Sequence, residues 1–227
     1  MLSELRRTIG RASDVIPNVD SKFERGCLIV VTEAFKDMKN DQCYDLEWKE
    51  TRFSAHLVDY MRKARDRERM DLALQIDPEC HLYRKEILEG MEDPDTAPRI
   101  DIRVLGGWVQ ENAYYAMEGK ILVEEDWGTR DNYQLRARYI DTGIDNFVAG
   151  RYSPDVPRGC MLGYVVQGTP SEIALKINNL LVHRGRDAEQ VKNRHSINGY
   201  PNCYQSEHTR ITDQRSIRLH HLLLMFC

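Results

Sequence analysis

No stretch of this 227-residue chain approaches the ~18 consecutive apolar residues that a membrane helix needs. The apolar runs Cys27–Val31 and Leu222–Cys227 are far too short, which excludes a helical span. Also missing is any C-x-x-C pair or compact zinc spacing among Cys27, Cys43, Cys80, Cys160, Cys203 and Cys227. Cys203, His208, His220 and His221 assemble into a metal cluster only on paper. The start, Met1–Arg7, is basic but has no apolar core region. With six unpatterned cysteines, it predicts reduced thiols in a cytoplasmic protein. There is no internal repeat and no low-complexity segment. Nor is there the positive excess of a general nucleic-acid binder, because 36 Asp+Glu outweigh 32 Lys+Arg for a net charge of −4.

That balance conceals an asymmetry. Residues 1–150 carry 22 Lys+Arg against 30 Asp+Glu, and residues 151–227 carry 10 against 6. Five of the seven His also lie in the second stretch. The pattern fits an acidic half beside a basic surface that meets a polyanion. Ordinary scatter gives the same sums.

Hydrophobic periodicity predicts helices over about 2–16, 27–38 and 46–69, the second of these being ambiguous with a buried strand. Strands are expected at 72–76 (stopped by Asp77-Pro78), 99–105, 113–122 and 161–166, with a helix over 129–149. Thr169-Pro170-Ser171-Glu172 reads as a capping box opening another helix. Residues 203–226 read as two strands about a turn near Thr212-Asp213-Gln214. This order indicates an α/β domain with a mixed sheet.

Two of these strands carry the sharpest feature. One reads Arg99-Ile100-Asp101-Ile102, with Ile100, Ile102 and Val104 alternating with Asp101 and Arg103. The other contains Glu118-Gly119-Lys120. Strand alternation puts Glu118 and Lys120 on one face. Asp101 lies 17 residues before Glu118, a separation that lets a hairpin place the two carboxylates side by side. Carboxylate oxygens are hard ligands suited to Mg²⁺. The ion acidifies water and neutralises charge on a phosphate during in-line displacement, while a neighbouring ammonium holds the water and the developing charge. Three other acid-x-Lys triplets end at Lys22, Lys39 and Lys49, none in a convincing strand. The plain alternative is a surface Glu–Lys pair beside an unrelated Asp.

Pro98-Arg99-Ile100-Asp101, a gap of under twenty residues, then Glu118-Gly119-Lys120 on an apolar strand resembles the PD-(D/E)XK nuclease superfamily. The resemblance implies a four-stranded mixed central sheet flanked by helices, formed by residues 46–167. Residues 1–45 become a helical extension, and 168–227 a terminal helix and β-hairpin, all within one domain. It further implies that Asp101 and Glu118 ligate Mg²⁺, with Mn²⁺ able to substitute. The Gly119 carbonyl assists, Lys120 serves the water, and an acid of the preceding helix (Glu50 first, Glu47 second) supports the site. The implied activity is metal-dependent DNA cleavage in restriction or antiviral defence, by a homodimer or a subunit of a larger complex, with RNA left open as substrate. A nuclease-fold subunit that binds nucleic acid or a protein without cutting is the rival reading.

A nuclease must also neutralise phosphates. The candidates are Gln134, Arg138 and Tyr139 on the 129–149 helix, then Arg194, His208 and Arg210 in the basic tail. Tyr204, Ser206 and His208 alternate onto one face with Arg210, as expected of a polar cleft lining.

Overall fold

The computed structural model describes residues 12–67, 74–83, 85–91, 93–106, 114–152 and 156–227. Helix α1 (Ala12–Asn40) absorbs both the end of the expected 2–16 helix and the ambiguous 27–38 segment. Its buried Phe23, Cys27, Val30, Val31, Ala34 and Met38 recur at helical spacing. The remainder of the 2–16 segment, like residues 72 and 73 of the first expected strand, lies outside the described residues. Helix α2 (Glu50–Arg67) buries Phe53, Leu57, Tyr60, Met61 and Ala64. Arg67 ties it to α1 through Glu33 at 3.3 Å and Asp37 at 2.5 Å.

Strands β1 (Leu74–His81), β2 (Arg99–Gly106) and β3 (Tyr114–Val123) form an antiparallel meander, with a short helix α3 (Lys85–Leu88) between the first two. Contrary to expectation, β1 runs through Asp77-Pro78. It is an edge strand, where a missing N–H costs no ladder bond. Glu79, at φ 46°, lies between the pairs Pro78–Ile102 and Cys80–Ile100, across which the register is unchanged.

The expected 129–149 helix is α4 (Asn132–Arg138), a π turn over Tyr139–Ile144, and α5 (Asp145–Val148). Strand β4 (Arg158–Gln167) then pairs parallel with β3. Helix α6 (Pro170–His183) follows, but its capping box does not form. The Thr169 hydroxyl and N–H both turn to Glu124 Oε2, at 3.4 and 2.9 Å.

The largest departure concerns the sheet, which has seven strands instead of four. Strands β5 (Lys192–Asn193), β6 (Cys203–Thr209) and β7 (Ser216–Met225) complete the order β1-β2-β3-β4-β7-β6-β5, with β7 parallel to β4. The expected terminal hairpin is therefore part of the sheet. The apolar end of β7 explains this, since Leu222 and Leu224 join one core and Leu223 the other. Burial on both faces favours continuous apolar runs of this kind. The first core lies under α1 and α2, and the second lies under α4 to α6. No helix of the described residues is long and apolar enough to cross a membrane.

Candidate active site

Strand β3 is central, and its residues alternate between the two cores. Tyr115, Met117, Ile121 and Val123 join the first, while Ala116 and Leu122 join the second. Glu118 and Lys120 therefore share the second face. Ladder pairing between β2 and β3 stops at Ile102–Met117, and Asp101 takes over beyond it. Its Oδ2 accepts the Gly119 N–H at 2.8 Å, a side-chain oxygen standing where the next strand carbonyl would have been.

Lys120 Nζ donates to Glu118 Oε1 and, at 3.2 Å, to the Gly119 carbonyl. Glu118 and Lys120 are only 4% and 5% exposed. Glu118 Oε2 is buried with no hydrogen-bond partner, an arrangement that native interiors rarely keep without a reason. Burial, and then the negative charge of Asp101, push the Glu118 carboxyl up to about 7 against the partial relief of Lys120. Burial likewise raises Asp101, opposed by Lys120 and the Gly119 N–H and reinforced by Glu50. A buried carboxylate and a half-buried one thus lie near one ammonium, which bonds only Glu118 of the two, leaving an excess of negative charge.

The excess fits a divalent cation. Among the described residues no three His, Cys, Asp or Glu side chains are grouped so as to hold a metal ion. The donor set is two carboxylates and the Gly119 carbonyl. Mg²⁺ suits such a set because it keeps several waters and accepts phosphate oxygens.

Gly119 points its missing side chain at the other layer. A Cβ there would stand 2.7 Å from Tyr164 Cε2 and 3.0 Å from Ser54 Oγ, whose hydroxyls are bonded to each other at 2.8 Å. Gly119→Ala is expected to cost about 1–3 kcal/mol by overpacking, measurable as a lowered urea midpoint with an unchanged slope.

Glu50 opens α2, with Oε1 accepting the Ile121 N–H at 3.3 Å and Oε2 accepting Arg138 Nη2 at 3.1 Å. Its charge reaches both Asp101 and Glu118. Glu47 is exposed in the turn before the helix, so Glu50 is the better placed of the two acids. Beside Glu50 lies a cleft of about 620 Å³ lined by Trp48, Lys49, Ile121, Gln134 and Arg138 among others. The Asp101–Glu118–Lys120 group does not line it, and Glu50 and Ile121 form the wall toward that group. Of the expected nucleic-acid contacts, Gln134 and Arg138 flank this cleft, and Arg194 is exposed beyond β5.

Three expected contacts are corrected. Tyr139 is fully buried with its hydroxyl 2.8 Å from His221 Nδ1. His208 is buried between Glu189 and Ser206 Oγ, the latter 2.6 Å from Nε2. Arg210 is 1% exposed and donates to the Val156 carbonyl. The face carrying Tyr204, Ser206 and His208 is internal, and its polar groups satisfy one another, as buried polar groups must. Ser206 Oγ also meets His221 Nε2 at 2.7 Å. Elsewhere in the tail, Arg184 pairs with Asp141, and Arg186 with Asp145 and Glu189. The paper cluster of Cys203 and histidines is dispersed as well. His220 faces Glu24 at 3.0 Å on the first-core side, whereas His221 faces Ser206 on the other.

Tyr152 escaped the sequence reading. It stands just after the Gly150 turn, where nothing in the local pattern distinguishes it, and is buried beside Glu118.

Comparison with protein-family models, curated proteins and solved structures gives no match to this chain.

Proposed function

We propose that this protein is a Mg²⁺-dependent nuclease that hydrolyses DNA phosphodiester bonds. One observation carries the reading: a buried Glu118 Oε2 without a hydrogen-bond partner, in a carboxylate that senses the Asp101 charge and whose other oxygen accepts from the Lys120 ammonium. A divalent cation held there would act as a Lewis acid on water and phosphate. Asp101 and Glu118 would hold it, the Gly119 carbonyl being the third protein oxygen. Lys120 would hold the attacking water and meet the charge that builds as the water oxygen bonds to phosphorus and the bond to the leaving sugar oxygen breaks. Glu50 adds negative charge on the cleft side, and Arg138, bonded to it, carries a guanidinium that can meet a neighbouring phosphate. A place in restriction or antiviral defence follows from the family resemblance alone.

Plasmid incubated with the protein and Mg²⁺ is expected to be nicked or linearised, and EDTA is expected to stop it. Lys120→Ala should reduce cleavage by roughly 10²-fold or more, in line with removal of one transition-state donor. Salt-sensitive retention of the plasmid without any cutting in Mg²⁺ or Mn²⁺ would instead favour a non-catalytic, nuclease-fold binding subunit.

A further inference from the structure

The polar side chains that the tail turns inward form one unbroken chain. Glu189, in the turn Asp187–Glu189 after α6, is bonded to His208 Nδ1. Ser206 Oγ stands 2.6 Å from His208 Nε2 and 2.7 Å from His221 Nε2. His221 Nδ1 ends the chain on the Tyr139 hydroxyl at 2.8 Å. Ser206, His208, His221 and Tyr139 are buried, while Glu189 reaches solvent.

The number of protons in the chain fixes its direction. Glu189 Oε2 also accepts Arg186 Nη2 at 2.6 Å, and Arg186 donates to Asp145 at 2.8 Å. The carboxylate is therefore ionised, and His208 Nδ1 supplies the proton between them. In a neutral His208 the other nitrogen is an acceptor. Ser206 gives its single proton there, so His221 Nε2 donates to Ser206. Burial keeps His221 neutral, which makes Nδ1 an acceptor and Tyr139 the donor. In this order every donor has an acceptor.

One further proton breaks that order. A cationic His208 donates from Nε2 as well, so Ser206 can no longer donate to it. If His221 kept its tautomer, three hydrogens would crowd the Ser206 oxygen, and the hydroxyl's own would lack an acceptor. The reversed order avoids this. Ser206 donates to His221 Nε2, His221 Nδ1 donates to Tyr139, and the unsatisfied hydrogen is the one on the Tyr139 hydroxyl. A buried donor without an acceptor is costly, and here the cost falls on the π turn, where the helical ladder is already irregular. Besides Glu189, Arg186 and Asp145, the titratable and charged groups around the two rings are few. Tyr204 lies beside His221 in the ladder, and Cys160 is near Tyr139. His220 faces Glu24 on the opposite side of the sheet. Arg210, beyond β6, is held by the Val156 carbonyl and Asp213.

The π turn also borders the candidate site. Gly143 packs on Met161 with no room for a Cβ, and Met161 stands between Glu118 and His221 in the ladder. Arg138, next to Tyr139 in the chain, donates to Glu50 at 3.1 Å.

We infer that this chain is a proton-sensitive clamp on the π turn: in its neutral order it holds Tyr139 as a donor, and one added proton reverses it and loosens Tyr139 and Arg138. The clamp rests on hydrogen bonds alone, and only its effect on cleavage rests on the nuclease reading.

Nitrogen-15 NMR of the histidine-labelled full-length protein in EDTA, between about pH 8 and pH 4, tests it. At the upper end His221 is expected as the Nε2–H tautomer and His208 as Nδ1–H. As His208 gains its second proton, His221 should change to the Nδ1–H tautomer with the same midpoint. Ser206→Ala cuts the chain, and in it His221 should keep one tautomer while His208 titrates. Over the same range, plasmid cleavage in Mg²⁺ should lose several-fold more rate in the wild type than in Ser206→Ala. Three results with the wild type alone overturn the inference: an Nδ1–H His221 at high pH, an unchanged His221 once His208 is charged, or no second proton on His208 before the fold is lost. Linked tautomers with identical cleavage profiles in the two proteins overturn the reach of the clamp to Arg138. A linked tautomer change in a protein that cuts no DNA supports the clamp and overturns the nuclease reading.

Discussion

Replacing Asp101 by asparagine should all but abolish Mg²⁺-dependent cleavage while leaving the metal-free protein as stable as the wild type or more so. The two effects have separate causes. Cleavage falls because an amide is a poor substitute for a charged ligand, and the loss should be at least on the order of 10²–10³-fold, the scale seen when one electrostatic contributor to a transition state is removed. Stability is kept because the asparagine oxygen can still accept the Gly119 N–H that Asp101 Oδ2 accepts at 2.8 Å. It can rise because the charge that disfavours ionised Glu118 has gone. Asp101→Ala lacks that acceptor and should be equally inactive but less stable, since an unsatisfied buried N–H costs about 1–3 kcal/mol. Supercoiled-plasmid nicking and urea unfolding in EDTA measure the two properties independently. Cleavage by Asp101→Asn at the wild-type rate would remove Asp101 from the site.

The pH dependence of metal-free stability should show the same coupling. The Glu118 carboxyl is held at about 7 in the folded chain against an ordinary 4.5. Between these values the folded state retains a proton that the unfolded state has released, so stability falls as pH rises through that window. The full shift corresponds to at most about 3 kcal/mol. Two other groups act on the same profile. Burial holds His221 well below 6.5, so the unfolded chain binds its proton first and stability is lost as pH falls below about 6.5. Glu189 is lowered to about 2, His208 and Arg186 outweighing its burial, so its contribution disappears only between about 4.5 and 2. His221 therefore opposes Glu118 over most of the window. The informative quantity is the difference between wild type and Asp101→Asn, which removes the Asp101 charge and leaves His221 untouched. The variant should gain stability over the wild type as pH is raised from 5 to 7.5 in EDTA. A difference that does not change with pH would show that Asp101 and Glu118 do not sense each other.

The central acids were legible because their signal is local. Alternation fixes the face shared by Glu118 and Lys120, and a hairpin separation brings Asp101 to them, so three strand-borne residues follow from a period of two. The choice between Glu50 and Glu47 needed only the place where α2 begins, which sequence reads to within a few residues. The basic tail was not legible, because its partners are distant in the chain. Arg184 meets Asp141 and Arg186 meets Asp145, each across more than forty residues. A polar stripe such as Tyr204, Ser206 and His208 reads the same whether it lines a cleft or closes on Glu189 and His221 inside the protein. The sheet was underestimated for a related reason. Two strands about a turn look alike as a free hairpin and as an addition to an existing edge, and only the burial of Leu222 to Leu224 on both faces distinguishes them. Charge asymmetry along the chain consequently says little about which residues are exposed and free of an acidic partner.

The hydrogen bond from Gly119 to Asp101 makes one backbone amide a gauge of the whole site. That N–H is held by a carboxylate instead of by a neighbouring strand, so its strength follows the charge on Asp101 and whatever competes for it. Protonating the acid, replacing it or drawing its electrons toward a cation each weakens the same bond, and each should quicken deuterium uptake at that single amide while leaving the Ile102–Met117 pairing next to it unchanged. The fold thus carries its own reporter, readable in the resting protein without substrate and without turnover.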